Sequence, residues 1–272
     1  MQLYAGGVIS RPMHWNSIGH HMRDVRMSEV LEYLIETSAL ALIPVEKGEL
    51  THRVLPLVAA AGGDFSTDAT IIDGAVRRKK GTKGYRGQEE YDICKLHIMT
   101  GNVSKVITAC AIEDRGTMES PMFPGLLHTT AKSFPIANVY GDAAYAGVRS
   151  YALVDALKAQ GWFRFSESHT GASGGVFGRV FKWANAHEDE FQEKLAKRNA
   201  VEATISSYKR VLAGGIRHKT ASLRGKVQTA MKNEAYSMAV AHNIRVIIRF
   251  IYLVGLAPKF LPATKDQPVA AD

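Results

Sequence analysis

Three β-rich runs in succession, the last two joined through Gly101-Asn102, constrain this 272-residue chain more than any other feature. The first, DFSTDATIID over residues 64–73, carries an apolar patch on each face and predicts a strand partly covered on both sides. The second and third, YDICKLHIMT and VSKVITACAI, flank the Gly-Asn dipeptide, a strong turn signal, and predict an antiparallel hairpin. A helix fits residues 122–132, and a short apolar strand over 136–140 runs straight into Gly141-Asp142. Residues 148–160 read as a helix closed by Gly161, and residues 162–165 as a further strand. SESHTGASGGVFG reads as a mobile Gly/Ser-rich loop. A long charged helix over 188–212, ended by Gly214-Gly215, and a last helix over 233–254 complete the order. Ahead of the strands, residues 27–42 place Val30, Leu31, Leu34 and Ile35 at helical spacing before Pro44. The expected product is an α/β layered domain whose sheet mixes a hairpin with parallel additions.

The net charge of +8 favours polyanionic partners, nucleic acid or an anionic membrane surface; a basic soluble protein without such a partner has the same totals. Cys94 and Cys110 are too few for a disulfide framework or a thiolate metal quartet and read as buried thiols of a reducing compartment. Residues 238–254 are apolar enough to suggest a membrane span. They include Arg245 and Arg249, each costing about 2.5–3.5 kcal/mol at the centre of a membrane helix. A core helix of a cytoplasmic protein is the better expectation, and MQLYAGGVISRPMHW has no signal-peptide pattern.

Three acids stand out by position. Asp68 lies inside the first strand, where burial is costly unless the carboxylate is paired or binds a metal; it also reads as a strand residue facing solvent. Asp142 follows the fourth strand directly, where open α/β sheets place functional groups, and it also reads as a helix cap. Glu202 shares a helix face with Arg198, four residues before it, and Lys209, seven after, beside an apolar stripe of Val201, Ile205, Tyr208 and Leu212. A solvated charged surface has the same pattern. Between the first two strands, AVRRKKGTKGYRG gathers Arg77, Arg78, Lys79, Lys80, Lys83 and Arg86, either a solvated loop or a DNA-backbone contact.

FSTDATIID, YDICKLHIMTGNVSKVITACAIEDRGTMESPMFPGLL, ANVYGDAAYAG, RNAVEATISSYKR and LRGKVQTAMKNEAYSMAVAHNIRVII together resemble the DDE transposases of bacterial insertion sequences, in the family's order. The resemblance implies a ribonuclease-H-like fold: a mixed five-stranded sheet flanked by helices, with a short helical N-terminal segment. It divides the chain into that segment (1–63), the catalytic domain (64–256) and a tail (257–272). Asp68, Asp142 and Glu202 fall on the family's three acids, the expected ligands of two Mg²⁺ ions, with Mn²⁺ as a substitute. Arg198 and Lys209 fit the signature around the third acid, while Leu195 occupies its Tyr position. The gap from Asp142 to Glu202 is too short for the large β insertion of some relatives.

The implied activity is metal-dependent DNA cleavage and strand transfer on double-stranded DNA, both element ends and target, by a homodimer assembled on that DNA. Arg198, Lys209, Arg77, Arg78, Lys79 and Lys80 would contact the phosphates. The stretch HWNSIGHHMRDVRMSEVLEYLIETSALALIPVE resembles the region just upstream of the catalytic domain, so a shortened copy without an end-reading module is expected. His14, His20 and His21 have no convincing metal spacing. Two rival readings are a remnant that only binds DNA, and another ribonuclease-H-like nuclease such as a junction resolvase.

Overall fold

A computed structural model of the chain describes residues 20–47, 63–73, 93–170, 172–211 and 229–255. The hairpin and the strand before it form as the alternating pattern dictates: β1 (Asp64–Asp73), β2 (Ile93–Gly101) and β3 (Ile107–Asp114) are antiparallel neighbours. After α3, described below, β4 (Asn138–Gly141) returns parallel to β1, and β5 (Gln160–Phe163) lies parallel to β4. The five strands lie in the order β3-β2-β1-β4-β5, the mixed sheet expected of a ribonuclease-H-like domain.

The turn of the hairpin differs from the expected two-residue loop. β2 and β3 are joined by residues 102–106, with Gly101 N–H donating to Val106 O and Lys105, at φ 69°, donating to Gly101 O. Gly101 is instead the last ladder residue, and the place its Cβ would take is occupied by the buried Glu46 carboxylate. Glu46 accepts from the Ser104 N–H at 2.6 Å and the Val103 N–H at 3.4 Å, binding the turn to the N-terminal helices. Close approach, not turn geometry, requires this glycine.

Helices cover both faces. On one, α3 (Phe123–Ala131) and α4 (Val148–Ala156) bury Phe123, Leu126, Leu127, Tyr151 and Val154 against Phe65, Met99, Val139 and Phe163. On the other, α1 (Val25–Leu40), α7 (Asn199–Val211) and α8 (Thr229–Val254) bury Leu31, Ile35, Val201, Tyr208, Met231 and Ala235 against Leu96, Ile98 and Ile112. Each fully buried side chain of this size contributes about 1.5–3 kcal/mol. Short α2 (Ile43–Glu46) begins around Pro44, which suits a first helical turn, so the first helix ends at Leu40.

α8 is a core helix, and among the described residues no helix is long and apolar enough to cross a membrane. Its buried Asn243 accepts from Ile107 N–H and donates to Ile107 O and Ile35 O, joining β3 to α1. Asn233 donates to Met22 O and Asp24 O, fastening the start of α1 to the same helix.

Two expectations between β5 and α8 are corrected. The end of the Gly/Ser-rich stretch is the first turn of α5 (Gly175–Ala186): Val176, Phe177, Val180 and Phe181 have helical spacing that the neighbouring glycines obscured. Phe177 is held by Tyr151 and Phe165, at ring distances of 5.6 Å. The single long charged helix is broken into α6 (Glu188–Leu195), a 3-10 turn (Ala196–Arg198) and α7. Phe191 and Leu195 of α6 bury with Tyr140 and Trp162, whereas Val201 and Tyr208 of α7 bury with Leu96 and Ile98. The two stripes face different clusters, so the axis bends between them, and Lys197 pins the bend with an ion pair to buried Asp64 at 2.9 Å.

Candidate active site

Asp68 sits in the middle of β1, opposite Ile98 of β2, on the face that α7 covers. Parallel pairing sets Ser66 beside Tyr140, so two residues further along each chain Asp68 and Asp142 leave the sheet at the same level. Gly141 makes that approach possible: a Cβ there would stand 2.9 Å from the Phe163 ring and 3.2 Å from Thr67 Cγ2. Asp142 also caps the 3-10 turn Ala143–Tyr145, accepting from the Ala144 N–H at 2.9 Å. The cap and the strand-end position are properties of one residue, not alternatives.

Burial pushes the Asp68 carboxyl up to about 6; its Ala69 N–H bond and Arg198 oppose the shift, while the charges of Asp142 and Glu119 add to it. Asp142 is also raised, first by burial and then by Glu119, against the Ala144 N–H, Arg198 and Lys95. Two neighbouring half-buried acids short of positive charge are the electrostatic signature of a place that favours a cation.

Glu202 occupies the first turn of α7, where a carboxylate complements the helix dipole. It is half exposed, and its Oε1 accepts from Arg198 Nη2 at 2.6 Å. With Asp68 it lines a groove of about 480 Å³, together with Thr70, Ile205, Ser206, Lys209 and Arg210. The structure therefore brings Asp68 beside Asp142 and sets Glu202 across a groove from Asp68. Among the described residues, no three His, Cys, Asp or Glu side chains converge into a ready-made metal cage. Glu202 is turned onto Arg198 instead.

Lys209 is exposed on the groove wall, and Arg210 lines the same wall, a cation the sequence pattern did not single out. Arg77, Arg78, Lys79, Lys80, Lys83 and Arg86 lie outside the described residues, as do His14, Leu212, Gly214, Gly215 and the tail. Leu195, at the departing Tyr position, is a core residue of the cluster around Tyr140 and Trp162. The connection from Asp142 to Glu202 holds one strand and three full helices, with no β insertion among its described residues. Sequence reasoning also missed Glu119, whose charge bears on both strand acids. It lies in an irregular stretch after β3, and no spacing marks it.

The model of the transposase DDE domain family matches residues 64–238, from the first residue of β1 into α8. The chain belongs to the transposase DDE domain family. Among curated proteins none matches the sequence. A solved structure titled as a piggyBac transposase synaptic complex with hairpin DNA is similar at 10% identity and a TM-score of 0.34. The match covers 71% of this chain and 52% of that one, so the chain spans about half the length of that protein.

Proposed function

We propose that this transposase domain cleaves and rejoins DNA by metal-dependent phosphoryl transfer, with Asp68, Asp142 and Glu202 as the acids of one site. The observation that carries the reading is the emergence of Asp68 and Asp142 at one level from adjacent parallel strands, with Glu202 across the groove from Asp68. The donor set fits Mg²⁺ or Mn²⁺: carboxylate oxygens are the hard ligands these ions prefer, and two raised carboxyls gain the counter-charge they lack. Bound there, a pair of divalent ions supplies an activated water or 3′-hydroxyl and a stabilised leaving oxygen.

The protein's own groups then divide the remaining work. Asp68 and Asp142 hold their positions through the backbone, Asp68 within a paired strand and Asp142 through its Ala144 cap. Arg198 keeps Glu202 in reserve; when Glu202 turns inward, the freed guanidinium can grip a phosphate with its planar fork. Lys209 and Arg210 line the groove as cations for the DNA backbone. The DNA partner is double-stranded, element end and target, and assembly on it is as a homodimer.

The test is Mg²⁺-dependent cleavage of duplex DNA by the parent and by Asp142→Asn, each with a thermal melt. The parent should cleave, and the variant should lose cleavage while melting as a folded protein. Cleavage by the variant at the parent's rate would reduce Asp142 to a cap. DNA binding without cleavage by the parent would favour a binding-only remnant.

A further inference from the structure

Lys197, in the 3-10 turn between α6 and α7, is held at both ends by the start of β1. Its ammonium reaches Asp64 Oδ2 at 2.9 Å, and its carbonyl accepts from Asn102 Nδ2 at 3.3 Å. Asn102 is itself tied to β1: its N–H donates to Asp64 O at 2.9 Å, and its Oδ1 accepts from the Ser66 hydroxyl at 2.7 Å. Asp64 is 1% exposed, and its carboxylate also accepts from Asn138 Nδ2 at 2.7 Å and from the Tyr140 hydroxyl at 3.3 Å. Lys197 Nζ lies 5.9 Å above the centre of the Tyr140 ring, a further hold on the same cation. The proposed reaction uses neither Asp64 nor Lys197.

The placement of this clamp joins it to the acids. Side chains of a strand alternate between faces, so Asp64, Ser66, Asp68 and Ile72 share one face of β1. Ile72 packs there with Val201 and Tyr208, so this is the face that α7 covers. The bend that opens α7 is therefore fastened to the strand that carries Asp68. Arg198 follows Lys197 directly, and Glu202 lies in the first turn of α7. Where residue 197 is held decides where Arg198 and Glu202 stand relative to Asp68. A short 3-10 turn between helices is a natural hinge, with no ladder to fix it, so its place depends on such side-chain bonds. A buried carboxylate is costly to keep, and strand pairing alone does not call for one at Asp64.

We propose that Asp64 is a positioning residue of the acidic site: with Lys197 it clamps the α6–α7 bend onto β1 and so sets the reach of Arg198 and Glu202 to Asp68. This role rests on the reading of Asp68, Asp142 and Glu202 as one metal-holding site. The clamp acts on the backbone of the bend and leaves the Glu202 side chain free to turn away from Arg198. It governs the rate of the assembled site, not the first capture of an ion by Asp68 and Asp142.

The experiment compares the full chain with its Asp64→Asn, Lys197→Met, Asp64→Asn/Lys197→Met, Lys197→Arg and Asp68→Asn variants. Each is measured by Mg²⁺-dependent cleavage at saturating duplex DNA, by calorimetric titration of Mn²⁺ and by amide hydrogen exchange. Asp64→Asn and Lys197→Met should each slow cleavage about tenfold while Mn²⁺ affinity stays within about twofold of the parent. Exchange of residues 196–202 should quicken about tenfold, with β1 still protected. The double variant should go no further than the worse single, since both break one pair, and Lys197→Arg should restore most of both readouts. Lys197→Met strands a buried carboxylate without its cation; if it fails to fold, the double variant, which lacks that charge, carries the test. Parent-like cleavage and exchange in Asp64→Asn, beside lost cleavage in Asp68→Asn, overturns the clamp and leaves the functional reading standing. Cleavage and Mn²⁺ affinity falling together, with protection lost across β1 as well, makes Asp64 a core ion pair and overturns its positioning role. A parent that neither binds Mn²⁺ nor cleaves sinks the functional reading, and with it the role that depends on it.

Discussion

Asp68, with Asp142 beside it, and Glu202, which shares a groove with Asp68, are the two halves of the proposed site, and the two halves are built by different means. The strand acids are set by the backbone: a ladder position for one, and a strand end with a capped turn for the other. Glu202 rides a helix that begins at a bend, is half exposed, and is held by one i,i+4 ion pair. Backbone-fixed ligands are preorganised, whereas a ligand held by an exposed pair can be released cheaply, since such pairs are worth about 0–1 kcal/mol. The proposed site thus joins a fixed half to an adjustable half, and catalysis would await the adjustable one.

That contrast can be broken most forcefully at the fixed half. Asp68→Asn should lower Mg²⁺-dependent cleavage about a thousandfold, several kcal/mol of lost transition-state stabilisation, and should abolish metal binding. Glu202→Gln should also cut cleavage, by about a hundredfold, yet retain measurable Mn²⁺ binding, because the strand acids keep their places. Equal loss of metal affinity in both variants would mean that the two halves are equally preorganised.

Much of the fixed half could be read from residues alone. The alternation in residues 64–73 and the hairpin after it are local patterns, and a mid-strand acid and a post-strand acid announce themselves by position. The break before α7 was hidden because the chain from Glu188 onward keeps helical spacing throughout. Only the separation of the Phe191/Leu195 cluster from the Val201/Tyr208 cluster, a tertiary fact, forces the bend. α5 was masked by its flanking glycines, and Glu119 by an irregular stretch whose ion pair to Lys95 of β2 is a tertiary fact.

A second test sharpens the comparison through pH. Burial, with Lys95 beside it, depresses His97 from 6.5 to about 4, against the opposing charge of Glu119. The unfolded chain therefore takes up a proton between those values that the folded chain refuses, so this contribution to stability is complete above pH 6.5 and is lost as pH falls toward 4. Urea unfolding should show that decline, and His97→Leu should flatten it. An unchanged slope in the variant would show that His97 is free to charge in the folded protein.

The smallest effects belong to the groove wall. Lys209→Ala should reduce the log–log salt slope of DNA binding by roughly 0.9, one phosphate contact. Arg198→Ala should change unfolding free energy by no more than about 1 kcal/mol, as an exposed helix pair would. A slope unaffected by Lys209→Ala would mark that side chain as solvated surface.

The most direct measurement of the central claim is the anomalous scattering of Mn²⁺ in crystals of the chain grown with the ion. Manganese should lie between the carboxylates of Asp68 and Asp142, with Glu202 turned from Arg198 toward it. Manganese bound elsewhere, with Asp68 and Asp142 free of it and Glu202 still on Arg198, would contradict the claim that these three acids form one site.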